Sequence, residues 1–486
     1  MICMMRSAMR LRPAFLFLIC FHLLLSQNLL ASHAKKHSAT PKAKHAQAGK
    51  ARREAKQSRS SRAAKASRKT KASRADKAKN RLKRLKSRNF KSRKAESVKI
   101  PLSPPVFPDS LRNAFIKSNE NRIIGTDGFA SLKKSLEHGG RMRIVHLGDS
   151  HIQADMMTGL IRRGLQARYG DAGRGLVFPY QLAATNAPRD IIFTSSCAWR
   201  SARLVKLSPE MACGISGFVI HSDAANPVIE LCLKPGRDGV ETFRQARLFA
   251  SGGSCVSISA ATDDSERRCL EGDELSGRKA IGLSAETDRI FISASTEPES
   301  GFSLYGVSLE KGDVPGIIYD TIGVNGADYE SYRRCETFWN QIVALQADCY
   351  VVSLGTNDAQ DQQLNAELFA SRVRDVVRRL REVSPKAVIV LATPPPSYYR
   401  QARFNAMLDT VSGIIRQVST EEGVGCWDLY HLAMGANGGE LLREYGFFRP
   451  DLVHFSRPGY ELQGEMFLEA FERQLETEKR EPSTIE

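Results

Sequence analysis

One serine in this chain stands where a nucleophile would be placed. Ser150 follows the apolar stretch from Ile144 to Leu147 and begins a helical pattern of apolar residues. At the start of a helix, N–H groups point outward and favour a negative charge that develops beside the serine. This geometry would suit nucleophilic attack on an ester. The alternative is that Ser150 serves only as the N-cap of that helix.

An aspartate and a histidine near the other end of the chain could activate this serine. Asp451 and His454 are three residues apart, so both side chains can lie on one turn. The aspartate would hold the imidazole tautomer while His454 accepts the proton of Ser150. A pair with this spacing, taken alone, can equally be a surface ion pair.

Gly326 and Asn357 could supply an oxyanion hole. Each follows a predicted strand, as Ser150 does, and the carboxyl ends of parallel strands meet at one edge of a sheet. The N–H groups of Ser150 and Gly326 and the Asn357 amide would then point at the same oxygen. Taken singly, Gly326 and Asn357 could be ordinary turn residues.

No metal or cofactor is expected in this site. His146 and His151 flank the serine, and their positions indicate a strand residue and a helix-start residue instead of a pair of metal ligands. The cysteines form no CxxC pair, which argues against a zinc site, and their spacing does not reveal which of them are bridged.

The elements that must position these residues fall into two types. Residues 101–187 and 314–486 show strands alternating with helical patterns, which predicts an α/β domain with a parallel sheet covered on both faces. Residues 188–313 instead show short alternating runs separated by Gly, Pro, Asn and Asp. Such a pattern is typical of an all-β sandwich or jelly roll. We therefore expect a β module inserted into an α/β domain.

In their order, these motifs resemble those of the SGNH (GDSL-type) hydrolases. They are Gly-Asp-Ser at 148–150, Gly326, Gly-Thr-Asn-Asp at 355–358 and Asp451-x-x-His454. The stretches 148–155 and 322–327 are closer still to the peptidoglycan O-acetylesterases of that family. The resemblance runs from about residue 140 to 475. It implies a flavodoxin-like three-layer fold, an inserted carbohydrate-binding-like β module and removal of acetyl groups from muramic acid O6 of cell-wall glycan by a serine esterase.

Several other functions are compatible with the same motifs. The protein could deacetylate another polysaccharide, act as a lipase-like esterase or transfer the acyl group to another sugar. A function of a different class is a cell-wall-binding protein in which the hydrolase site is idle. The intact set of Ser150, Asp451 and His454 argues against an idle site.

The N-terminal 34 residues have the pattern of an export signal. Arginines precede an apolar run from Ala14 to Leu25, and small residues follow. The run is shorter than the roughly 20 residues that a membrane-spanning helix needs. We therefore predict export to the periplasm or cell envelope, with membrane contact only if the signal stays uncleaved.

Residues 35–100 carry the basic excess of the chain. They contain 26 Lys and Arg against three acids, a net charge of +23, and the predicted signal adds +3. Since the whole chain is +18, residues 101–486 carry −8. A tail of this composition cannot bury enough apolar surface to order itself. It could be a solvated tether, or it could bind an anionic cell-envelope polymer. Export argues against nucleic acid as its partner.

Overall fold

The structure, a computed structural model, describes residues 105–236, 239–260, 268–297 and 300–476. The predicted signal peptide at 1–34 and basic tail at 35–100 lie outside these ranges and stay predictions. Within the described ranges, none of the helices combines the length and the apolar character that a membrane-spanning segment requires.

The strands and helices of the described residues are numbered in chain order. The strands are β1 Ile123–Ile124, β2 Arg141–Gly148, β3 Asp171–Gly173, β4 Gly175–Val177, β5 Ile191–Thr194, β6 Arg200–Arg203, β7 Phe218–Ser222, β8 Val228–Leu233, β9 Phe243–Gly252, β10 Cys255–Ala260, β11 Ile281–Thr287, β12 Arg289–Ser295, β13 Phe302–Glu310, β14 Gly316–Gly323, β15 Cys349–Ser353, β16 Val388–Ala392, β17 Tyr398–Tyr399, β18 Arg403–Phe404 and β19 Gly425–Trp427. The α-helices are α1 Asp109–Ile116, α2 Phe129–Glu137, α3 Ser150–Gln153, α4 Met156–Tyr169, α5 Tyr329–Arg333, α6 Glu336–Ile342, α7 Ala366–Val383, α8 Met407–Glu421, α9 Leu429–Leu432, α10 Gly435–Glu444 and α11 Arg457–Glu476.

A seven-stranded sheet forms the centre of the hydrolase part. Its order is β1–β19–β16–β15–β2–β14–β3, and all neighbours are parallel except the β1–β19 pair. The strand β2 lies between β14 and β15, so the five strands β14–β2–β15–β16–β19 follow the flavodoxin-like order 2-1-3-4-5. In such a sheet the ligand site lies where the order reverses, which here is the carboxyl end of β2.

Helices cover both faces of this sheet. On one face, alternate residues such as Leu147 and Val352 share an apolar cluster with residues of α5 to α8. On the other face, Ile144 and Val351 pack with residues of α1, α2, α4 and α11. Strands that are buried on both faces need a near-continuous apolar sequence. This requirement explains the apolar runs from which these strands were predicted. The predicted three-layer α/β fold class is confirmed.

Two antiparallel sheets lie between the first and second parts of the hydrolase in the chain. One has the order β10–β12–β8–β5, and the other has the order β11–β9–β13–β7–β6 with β4 paired to β13. Alternate residues of β12 are buried, and they share one apolar cluster with inward residues of β13. A disulfide joins Cys255 and Cys269, a pairing that the sequence did not reveal.

Three local features of the hydrolase part have little signal in the sequence. The helical pattern that begins at Ser150 is interrupted at Asp155, whose φ of 54° is left-handed, and it forms the two helices α3 and α4. The segment after α4 contains the short strands β3 and β4. The segment between β19 and the last helix contains α9 and α10. Because the new strands have three residues each, they show no alternation that sequence could reveal.

A buried ion cluster anchors β2 to its neighbours. The guanidinium of Arg143 contacts the Asp320 carboxylate at 3.0 Å and also the carboxylate of Glu310, both fully buried. Glu310 accepts a second bond of 2.9 Å from Arg247. The cluster therefore ties the strand that ends at the Ser150 turn to both β13 and β14.

Candidate active site

Ser150 is the first residue of α3, directly after the carboxyl end of β2. The turn is tight, because a Cβ added to Gly148 would lie 2.8 Å from the Ser353 carbonyl oxygen. Asp149 is the N-cap, and its Oδ1 accepts a 2.9 Å hydrogen bond from the His151 N–H. This arrangement leaves Ser150 at the open end of the short helix, with its hydroxyl beside the sheet edge.

The serine hydroxyl, the imidazole and a carboxylate form a hydrogen-bonded line. Ser150 Oγ lies 2.7 Å from His454 Nε2, and His454 Nδ1 lies 3.0 Å from Asp451 Oδ2. With Nδ1–H donating to Asp451, Nε2 is the free acceptor that faces the serine. The arrangement can accept the serine proton when the hydroxyl attacks a carbonyl carbon.

The Asp451 carboxylate is held by its own segment. Its Oδ1 accepts hydrogen bonds from the backbone N–H groups of Val453 at 2.9 Å and His454 at 2.8 Å. Partial burial opposes its charge, but the hydrogen bonds from the His454 ring and these two amides prevail and lower the pKa of Asp451. The Asp451 carboxylate is therefore ionised at neutral pH and can accept the hydrogen bond that orients the imidazole.

Two backbone N–H groups of the predicted site have no acceptor in the part of the chain that the structure describes. Among the described residues, neither the Ser150 nor the Gly326 N–H donates to a protein acceptor. Gly326 has a φ of +84°, and a Cβ at this position would find only the methyls of Val205, at 3.8 and 4.0 Å. An oxyanion hole needs donors without partners, and these two groups meet that requirement.

Asn357 lies at the end of β15, but its amide is occupied. Its Nδ2 donates to the Ala327 carbonyl oxygen at 2.8 Å and to Asp149 Oδ2 at 3.2 Å. A side-chain amide nitrogen has two hydrogens, so both are engaged. To serve an oxyanion, Asn357 must share or exchange the longer bond to Asp149. The structure thus brings all five predicted residues to one sheet edge. It also shows that Asp149 would compete with an oxyanion for the Asn357 amide.

Comparison with known proteins identifies this arrangement. Residues 303–462 match the family model of the GDSL-like Lipase/Acylhydrolase family. The chain contains a GDSL-like acylhydrolase domain. This match begins after Ser150, which precedes the antiparallel sheets in the chain. It includes the other four predicted residues, Gly326, Asn357, Asp451 and His454. The predicted GDSL-type domain is confirmed over these residues.

One of the solved structures that the chain matches has a similar fold over most of its length. A peptidoglycan O-acetylesterase structure matches with a TM-score of 0.60 and 21% identity, over 72% of this chain and 96% of that one. A lipase/acylhydrolase from Enterococcus faecalis matches at 0.26 and 21%, over 32% and 77%. An acetyl-xylooligosaccharide esterase from Geobacillus matches at 0.27 and 20%, over 34% and 74%. No curated protein sequence is similar. With its family domain and an esterase's fold, the protein is a carboxylic ester hydrolase.

Asp149 is a residue of the acylhydrolase site to which the sequence assigned no role. It is 1% exposed, and burial raises its pKa to about 7 despite the hydrogen bond from His151 and the nearby His454. It touches Asn357 on one oxygen and caps the Ser150 helix with the other. Its place inside the Gly-Asp-Ser motif is the signal that could have found it.

Gln153 contacts the loop that carries Gly326. Its Oε1 accepts a 2.7 Å bond from the Asn325 N–H, and its Nε2 donates to the Asn186 carbonyl oxygen at 2.7 Å. A Cβ on Gly323 would lie 2.4 Å from the Gln153 backbone nitrogen, so α3 and the end of β14 are in close contact. The hydrogen bond between Asn325 and Gln153 has no signal in the sequence, because these residues are 172 positions apart.

The two histidines that flank Ser150 have structural partners. His146 hydrogen-bonds Tyr319 Oη at 2.8 Å and Ser353 Oγ at 2.7 Å, and His151 Nδ1 lies 3.1 Å from Tyr460 Oη. Burial lowers the pKa of each histidine to about 3, so both are neutral near pH 7. In the parts of the chain that the structure describes, no group of three or more His, Cys, Asp or Glu could hold a metal ion.

Proposed function

We propose that the protein is an exported serine esterase that removes O-acetyl groups from cell-wall glycan. The observation that carries the proposal is the hydrogen-bonded line from Ser150 through His454 to Asp451, set in a fold shared with a peptidoglycan O-acetylesterase. That likeness covers 72% of this chain.

The geometry supports a two-step acyl transfer. Ser150 Oγ attacks the acetyl carbonyl carbon while His454 Nε2 accepts the serine proton. The Ser150 and Gly326 N–H groups stabilise the resulting oxyanion. His454 then protonates the sugar oxygen, the C–O bond breaks, and acetyl-Ser150 remains. Water, deprotonated by His454, attacks this ester and releases acetate with Ser150 restored.

The exposure of the site suits a polymeric substrate. The side chains of His454 and Asp451 are 31% and 39% exposed, so the reacting groups lie at the surface and not in a closed cavity. A glycan chain can reach such a site without entering the protein. Among the esterases considered from sequence, those acting on polysaccharides fit this exposure better than a lipase, which would require a broad apolar groove.

Acetate release from isolated cell-wall sacculi tests the proposal. The protein should release acetate from O-acetylated sacculi and none from sacculi deacetylated with mild alkali, and Ser150→Ala should abolish the release. The variant serves as the matched control because it removes one oxygen atom. Activity on p-nitrophenyl acetate without any acetate release from O-acetylated sacculi would mean that the protein is an esterase but that cell-wall glycan is not its substrate.

The basic tail at 35–100 is proposed to hold the enzyme at an anionic cell-envelope polymer. Its +23 contrasts with the −8 of residues 101–486. Deleting the tail should leave turnover of p-nitrophenyl acetate unchanged and weaken binding to sacculi at low salt. The difference should shrink as salt rises, since screening shortens from about 10 Å at 0.1 M to about 3 Å at 1 M. If the full-length and tail-deleted proteins bind sacculi equally at low salt, the tail is only a tether.

A further inference from the structure

A small hairpin made of β17 and β18 contacts the loop that carries the base. The Tyr398 N–H donates a 2.9 Å hydrogen bond to the carbonyl oxygen of Leu452, which lies between Asp451 and His454. Leu452 is left-handed, with a φ of 57°, and is nearly fully buried. The hairpin therefore supports a strained position inside the Asp451–His454 segment.

The other side of the hairpin contacts the loop that follows Asn357. The side chain of Asn405 donates to the Ala359 carbonyl oxygen at 2.9 Å, and Arg403 donates to Gln362 Oε1 at 3.2 Å. The hairpin is thus joined to the loop that carries His454 and to the loop that follows Asn357. A ligand bound to the hairpin would therefore contact an element that both of these loops touch.

Two features of the hairpin oppose its stability. Its turn residues Arg400 and Gln401 have φ of 52° and 55°, a conformation that residues with a side chain rarely adopt. The hydroxyls of Ser397 and Tyr398 are buried without a hydrogen-bond partner among the described residues. Strain and unpaired buried groups of this kind concentrate at ligand-binding segments.

The hairpin carries two exposed arginines that pack on one tyrosine ring. Arg400 and Arg403 lie over the ring of Tyr399, with 5.0 and 5.3 Å from guanidinium carbon to ring centroid. Within the described ranges, neither arginine forms an ion pair, although Glu440 and Glu444 are close enough to Tyr398 to influence its pKa. The hairpin that contacts two loops of the site therefore presents two guanidiniums without a carboxylate partner among the described residues.

We propose that Arg400 and Arg403, held around Tyr399, form a subsite for a carboxylate of the acetylated glycan. A planar guanidinium matches the two oxygens of a carboxylate, and Tyr399 fixes the direction of both arginines. Glycans that bear short peptides carry such carboxylates. The proposal rests on the proposed function, which it deepens: the enzyme selects anionic, peptide-bearing glycan over neutral acetylated glycan. The subsite binds the substrate and does not touch the ester that reacts.

Two substrates that differ only in charge test this subsite. O-acetylated glycan fragments with free peptide carboxylates are compared with the same fragments after amidation of those carboxylates. The double variant Arg400→Gln/Arg403→Gln should lose about 10- to 100-fold in kcat/KM on the anionic fragments, mainly through KM, as expected for charge-assisted hydrogen bonds. Its kcat/KM on amidated fragments and on p-nitrophenyl acetate should stay within about twofold of the parent protein.

Two further variants separate charge, geometry and general surface effects. Arg400→Lys/Arg403→Lys keeps the charge but not the planar fork, so its loss on anionic fragments should be intermediate. Arg244→Gln is the matched control, because Arg244 is an exposed arginine of β9 without an ion pair in the described part of the chain. It should behave like the parent protein on every substrate.

The possible outcomes distinguish the subsite from the function on which it rests. If the parent protein cleaves anionic and amidated fragments equally well, or if the Gln double variant loses activity equally on both, the carboxylate subsite is wrong while the acetylesterase function stands. If neither fragment is deacetylated although p-nitrophenyl acetate is cleaved, the glycan esterase function itself fails. Preferential loss on the anionic fragments alone supports the subsite.

Discussion

The predicted site has a base side, formed by Asp451 and His454, and an oxyanion side, formed by the loops that carry Gly326 and Asn357. The hydrogen bonds that support these two sides span very different distances along the chain. The imidazole of His454 is oriented by Asp451, and the carboxylate of Asp451 is held by backbone N–H groups of the same short segment. The oxyanion side joins Asn357 to Asp149, which are 208 positions apart, and Asn325 to Gln153. Local hydrogen bonds therefore build the base side, whereas packing of separate strand ends builds the oxyanion side.

This difference predicts how each side responds to substitution. On the base side, the hydrogen bonds of the Asp451 carboxylate and the His454 ring stay within the Asp451–His454 segment and Ser150, so removal should have a large and simple effect. On the oxyanion side, Asn357 and Asp149 share a hydrogen bond, so their effects should not be additive. The following substitutions test that distinction.

The largest effect is expected where the chemistry depends on single atoms. Ser150→Ala and His454→Ala should each lower kcat on p-nitrophenyl acetate by more than about a thousandfold, because no other group replaces the nucleophile or the base. Circular dichroism spectra should match the parent protein. Activity within about tenfold in either folded variant, about 1.4 kcal/mol in barrier, would contradict the assigned roles.

A smaller effect is expected for the shared amide. Asn357→Ala should lower kcat by about 100- to 1,000-fold with little change in KM, since the amide would contact the charged intermediate and not the bound ester. Steady-state kinetics on p-nitrophenyl acetate measure both constants. A rise in KM at constant kcat would place Asn357 in substrate binding instead.

A double-variant experiment tests whether Asp149 acts through Asn357. Asp149→Asn keeps an oxygen for the His151 N–H but places a donor opposite the Asn357 amide, so kcat should fall by about tenfold. In the Asn357→Ala background the same change should cost less than about twofold, because the contact is already gone. Equal losses in both backgrounds would mean that Asp149 acts independently, for example by capping α3.

The buried carboxyl of Asp149 should also make folding stability depend on pH. Its pKa is raised to about 7, whereas in the unfolded chain it is near 3.8. Its contribution to stability is therefore complete below about pH 4 and is lost as the pH rises towards 7. The free energy of unfolding of the parent protein, relative to Asp149→Asn, should fall over this interval in urea titrations. A difference that stays constant with pH would show that Asp149 ionises normally.

The sequence could predict the base side because its geometry is local. Asp451 and His454 share a turn, and their spacing alone places both side chains together. Ser150, Gly326 and Asn357 could also be placed, since alternating strands and helices bring the carboxyl ends of parallel strands to one edge. The roles that these residues play in catalysis remain predictions that the substitutions above test.

What the sequence could not predict depends on contacts between distant segments. The hydrogen bond that Asn357 donates to Asp149 and the one that the Asn325 N–H donates to Gln153 each depend on the register of separate strands. The left-handed turn at Arg400 and Gln401 involves residue types that give no turn signal. The strands β3 and β4 are too short to show a period, and pairing with longer neighbours stabilises them.

The order in which the chain is made has a consequence for when the enzyme can act. Ser150 and His454 are 304 positions apart, and the two neighbours of β2 in the sheet, β14 and β15, both follow the antiparallel sheets. At about 5 to 20 residues per second, a ribosome needs on the order of 15 to 60 s to pass from the nucleophile to the base. Until then the growing chain holds a serine without a proton acceptor. We therefore expect an incomplete chain that lacks His454 to be inactive towards esters while it is being synthesised.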